Sequence, residues 1–75
     1  MPSPLERYYD LVLEKIAADR YPSGELMDRL EAAITDREHL EGYLGVLLDK
    51  IEQDRYPSKQ MLDRVRQLAL LIASA

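Results

Sequence analysis

Seventy-five residues carrying a formal charge of -4, with no Cys and no Trp, make one small domain near the lower limit at which an apolar core holds a fold unaided. Disulfides and thiolate metal sites are excluded. The acidic balance argues against general phosphate-backbone binding, which draws on clustered Lys and Arg.

The first helix is predicted to open at Ser3-Pro4-Leu5-Glu6, where Ser3 caps, Pro4 suits the first helical position and Glu6 can complete a capping box. Leu5, Tyr9, Val12 and Ile16 then recur at helical spacing, flanked by Tyr8 and Leu13, while Glu6, Asp10 and Glu14 line a solvated face. Tyr21-Pro22-Ser23 ends this helix, because proline lacks a donor and drives the residue before it out of helical geometry. Ser23 caps a second helix with apolar positions Leu26, Met27, Leu30, Ala33 and Ile34.

The join to the third element is ambiguous. Thr35-Asp36-Arg37-Glu38 reads as a capping box that starts a new helix. Yet Leu26, Leu30, Ala33, Arg37, Leu40, Leu44, Leu47 and Ile51 keep an unbroken four-three spacing, which suits a single helix from about Gly24 to Asp54. Beyond the join the apolar stripe is Leu40, Tyr43, Leu44, Leu47, Leu48 and Ile51. After Tyr56-Pro57-Ser58 comes a last helix with Met61, Leu62, Val65, Leu68 and Ala69.

The second half repeats the first. Ile16 to Ser23 returns 35 positions later as Ile51 to Ser58, and the match extends through Leu5/Leu40, Glu6/Glu41, Tyr8/Tyr43, Leu13/Leu48, Lys15/Lys50, Asp28/Asp63 and Arg29/Arg64. Residues 5–34 and 40–69 are therefore two copies of one unit within a helical domain spanning 1–75. The expected fold is all-α: a four-helix bundle built from two tandem helical hairpins with pseudo-twofold symmetry. The alternative has three helices, the central one long, and requires a dimer.

Chemistry is sparse. His39 is the sole histidine, and it reads as a surface residue near a helix start rather than a metal ligand. The serines serve as caps or tail, the carboxylates line solvated faces, and no Gly-rich phosphate loop is present. The expectation is a protein with no enzymatic activity, no cofactor, no metal and no small-molecule substrate. The repeated Asp-Arg-Tyr-Pro-Ser is the constellation to weigh. Its Pro and Ser make the turn, and its Tyr can lay its ring over the hairpin end. Asp19 or Arg20 can pair across the turn with Arg29 or Asp28, and Asp54 or Arg55 with Arg64 or Asp63. Arg and Tyr dominate binding hot spots, so Arg20, Tyr21, Arg55 and Tyr56 are candidate partner-binding residues.

The end of the last helix adds Leu70, Leu71 and Ile72, which lie in a run apolar around most of the helix circumference. That run is either covered by the bundle or left adhesive. The expected function is a small interaction or adaptor module, binding another protein or itself. The rivals are a purely structural homo-oligomer and a helix-turn-helix DNA-binding regulator. Nucleic acid is disfavoured because the first candidate recognition helix, Gly24-Glu25-Leu26-Met27-Asp28, is acidic, although the second, Lys59-Gln60-Met61-Leu62-Asp63-Arg64, is friendlier. The cluster of Arg55, Lys59, Arg64 and Arg66, opposed by Asp63, reads as a solvated helix face. The longest apolar run, Leu68 to Ala73, falls short of the roughly 20 residues of a membrane span. Met1-Pro2-Ser3-Pro4 lacks a leader pattern, so the cytoplasm is the default location.

Overall fold

The computed structural model describes residues 2–74. Among the described residues it holds four α-helices and no strand: α1 (Pro4–Ala18), α2 (Gly24–Ala33), α3 (Arg37–Gln53) and α4 (Lys59–Ala73). The chain divides into two compact units, Met1–Thr35 and Asp36–Ala75. In the first, α1 packs on α2; in the second, α3 packs on α4. The fold is thus all-α, with its four helices paired as the two expected hairpins.

Every helix begins at a side-chain cap. Ser3 Oγ accepts the Glu6 N–H at 3.2 Å, Ser23 Oγ the Leu26 N–H at 3.1 Å, and Ser58 Oγ the Met61 N–H at 3.1 Å. Each bond satisfies one of the donors that a helix start leaves without an intrahelical partner, a contribution of about 1 kcal/mol. The fourth cap decides the ambiguous join. The Asp36 carboxylate accepts the His39 N–H at 2.8 Å, while Ile34 and Asp36 both adopt extended backbone. The long central helix is therefore absent, even though its apolar spacing runs unbroken across the joint. The capping residue is Asp36 rather than Thr35, one position later than the box pattern suggests.

The first unit buries Tyr9 and Ile16 on α1 with Met27, Leu30 and Ala33 on α2. The second buries Tyr43, Leu44 and Leu47 on α3 with Val65 on α4. Glu6, Asp10 and Glu14 are exposed, as their spacing implies. Four residues placed inward by periodicity are exposed instead: Leu5, Leu48, Leu62 and Ala69. Leu5 lies in the first turn of α1. Successive helical residues are turned by about 100°, so by burying the sides of Leu47 and Val65 the second unit leaves Leu48 and Leu62 on the flanks.

Matching positions of the two copies are not equally covered. Tyr43 is 0% exposed, whereas Tyr8 is 41% exposed. Ile16 is buried and Ile51 only half-buried, and Pro22 is buried where Pro57 is half-buried. The Glu25 carboxylate, hydrogen-bonded at 3.0 Å, holds the exposed Arg29 guanidinium above its ordinary range, with a smaller contribution from Tyr8. Arg29 is protonated at any physiological pH regardless, so this pairing positions the side chain without creating a titration.

Tyr43→Ala is expected to cost about 3–5 kcal/mol in urea denaturation, as for other large buried aromatics, while Tyr8→Ala costs about 1 kcal/mol. Gly45 lies inside α3, and a Cβ added there meets nothing within 4 Å. Gly45→Ala should therefore raise stability by about 0.5–1 kcal/mol in the same assay, because alanine loses less backbone entropy in a helix.

Candidate functional site

The turn that reverses each hairpin is built from the repeated motif. Asp19 and Asp54 terminate α1 and α3 with near-identical backbone, φ -91° and ψ 124° for one, φ -93° and ψ 124° for the other. Their own N–H groups still bond back into the helix, to the Lys15 and Lys50 carbonyls at 3.2 and 3.0 Å. Each carboxylate then accepts the N–H of the tyrosine two residues on, at 3.1 Å for Tyr21 and 3.2 Å for Tyr56. This Asx turn occupies the last donor before the proline, which has none to give. Ser23 and Ser58 follow as caps with ψ 151° and 152°.

The tyrosine is left facing outward. Tyr21 is 66% exposed and Tyr56 80% exposed, so neither ring lies over the hairpin end as the sequence suggested. The preceding arginine covers part of the ring instead. The Arg20 guanidinium carbon lies 5.3 Å from the Tyr21 ring centre, and that of Arg55 lies 5.6 Å from the Tyr56 ring centre. At exposed sites such cation–π contacts contribute about 0.5–1 kcal/mol each. Among the described residues neither guanidinium has a carboxylate partner. The carboxylate of each motif is committed to the turn, and Arg29 pairs with Glu25 on its own helix. Each turn thus presents an aromatic face and a planar set of charged donors side by side.

Leu70 and Leu71 are exposed and Ile72 is half-buried, so the apolar end of α4 is only partly covered. It does not join the Tyr56 turn. Ser58 and Leu70 mark opposite ends of α4, roughly 18 Å apart along the axis at 1.5 Å per residue. The second unit therefore carries two separate surface features rather than one patch.

A further surface escaped the sequence pattern. Lys59, Leu62, Arg66 and Leu70 recur at spacings of three, four and four on α4, and all four are exposed. The periodicity assigned Leu62 to the interior because its counterpart Met27 suits that place. The charge change from Glu31 to Arg66 at matching positions was the signal available.

His39 Nδ1 lies 3.3 Å from the Asp36 carboxylate that caps α3, and the imidazole is half-buried rather than fully at the surface. Among the described residues no group of three or more His, Asp or Glu is arranged to hold a metal ion. No helix among them is long and apolar enough to cross a membrane. No family model matches the chain, nor does any curated protein or any solved structure.

Removing either oxygen that builds a turn should weaken it measurably. Asp54→Ala and Ser58→Ala are each expected to cost about 1 kcal/mol, read as a drop of several degrees in the thermal midpoint followed by circular dichroism.

Proposed function

We propose that the chain is a small, non-catalytic protein–protein interaction module of the adaptor type, working in the cytoplasm. The observation that carries this reading is the duplicated turn, in which an exposed tyrosine and an arginine with no carboxylate partner are held in the same geometry twice. Tyr and Arg combine large contact area with directional donors, and they dominate the energetics of protein interfaces. Both side chains stand on turns whose backbone is set by local hydrogen bonds, so little backbone ordering entropy remains to be lost on binding. Two equivalent points on one chain also offer a partner the same contact twice. A second reading, self-assembly as a structural homo-oligomer, is favoured by the exposed Leu70 and Leu71.

Tagged protein recovered from its host distinguishes the two, since an adaptor brings down a stoichiometric second protein and an oligomer brings down only its own copies. On the adaptor reading, Tyr21→Ala combined with Tyr56→Ala reduces recovery of that partner by at least about tenfold. The helical signal and thermal midpoint stay largely intact in the same variant. A collapse in stability instead would return both tyrosines to a structural role.

A further inference from the structure

The two hairpins share their frame but differ in one row of their second helix. In α2 this row is Gly24, Met27 and Glu31, with Met27 6% exposed; in α4 it is Lys59, Leu62 and Arg66, with Leu62 44% exposed. α4 continues the row one turn further with the exposed Leu70. At about 100° per residue these four side chains fall within an arc of about 80°, alternating basic and apolar along one open face.

Charge changes with burial. α2 carries Glu25, Asp28 and Glu31 against Arg29 alone, whereas α4 carries Lys59, Arg64 and Arg66 against Asp63 alone. α1, α2 and α3 each place an acid in the first turn, and α4 places none. α4 thus forgoes the favourable interaction of a carboxylate with a helix N-terminus. In a chain whose overall charge is -4, α4 is the one described helix with a basic balance, and it also carries an exposed leucine row.

Resting on the interaction-module reading, we propose that the Lys59–Leu62–Arg66–Leu70 row docks an acidic amphipathic helix of a partner protein. The leucines supply the apolar contact that a helix-in-groove partner seeks at successive turns, and the two cations select acidic flanks. A short peptide senses only the local field, because charges beyond about 8 Å are screened at physiological ionic strength. A long polyanion such as duplex DNA also meets the acidic remainder of the chain and is repelled. A second copy does not supply the required face. Among the described residues α2 has no large exposed apolar side chain, α3 has the single exposed leucine Leu48 beside Glu41 and Glu52 rather than leucines at successive turns, and α1 exposes Leu5, Tyr8 and Leu11, the last two flanking Lys15 on the helical wheel.

The test is fluorescence anisotropy of a labelled synthetic helix with leucines four residues apart and glutamates beside them, titrated with the whole chain. The expected result is saturable binding, weakened at least about tenfold by Lys59→Glu with Arg66→Glu and, separately, by Leu62→Asp. The charge-reversed variant should in turn take up the same peptide with lysines in place of glutamates. All three substitutions are at exposed positions, and circular dichroism of each variant reports whether the fold is kept. Failure of the acidic peptide to bind would overturn the inference, as would binding indifferent to both variants. So would row-dependent binding of duplex DNA or phosphatidylserine vesicles in place of the peptide, or a dimer in light scattering that Leu62→Asp dissolves. A native partner retained by the charge-reversed variant but lost with the tyrosine variant would overturn this inference alone, leaving the interaction-module reading in place.

Discussion

The bond from each aspartate carboxylate to the tyrosine N–H two residues later sets the geometry on which each hairpin depends. A helix that stops leaves carbonyls without donors, and a helix that starts leaves donors without carbonyls. Here the stop and the start are separated by only five residues, one of them a proline with no donor at all. The aspartate takes up the tyrosine N–H, and the serine takes up a donor of the next helix. With those backbone groups satisfied locally, the chain reverses over five residues, and α1 meets α2 as α3 meets α4. The same constraint turns the tyrosine outward, so the turn that makes the hairpin also creates its most prominent surface feature.

How far this was legible in the sequence depends on the range of the interaction. Ser3, Ser23 and Ser58 act over three residues, and their roles follow from spacing alone. The joint at residues 34–36 was not decidable that way, because the apolar rhythm of a long helix and the capping chemistry of two shorter ones occupy the same stretch. One short carboxylate bond from Asp36 decides it. Leu62 shows the other limit. Its repeat counterpart Met27 points inward, and the one sign against a core position is the change from Glu31 to Arg66 a turn further on. Of the candidate binding residues, Arg20, Tyr21, Arg55 and Tyr56 were legible because repetition singles them out. Lys59 and Arg66 entered the sequence reading only as a solvated basic face, since their alignment with Leu62 and Leu70 appears once burial is known.

The unequal burial of equal residues is the main departure from the symmetry of the repeat. Tyr8 and Tyr43 are the same residue at the same place in the unit, yet one stands partly in water and the other is enclosed. Shared residues therefore account for what the copies have in common, namely the turn and the serine cap that follows it. Residues that differ between copies account for what sets the second apart: a longer final helix, a basic balance and an open leucine row. A chain of this size has little interior to vary, and its differences accordingly lie on the outside.

The self-sufficiency of the turn has a consequence beyond this fold. The aspartate and serine bonds that shape Asp-Arg-Tyr-Pro-Ser run to residues two and three positions on, and two copies with different helices on either side reach the same backbone angles at those residues to within a few degrees. A segment that carries its own geometry in this way behaves as a transplantable joint. Spliced between two unrelated amphipathic helices, it would supply the corner and the exposed arginine–tyrosine pair together, leaving the designer only the packed faces to choose.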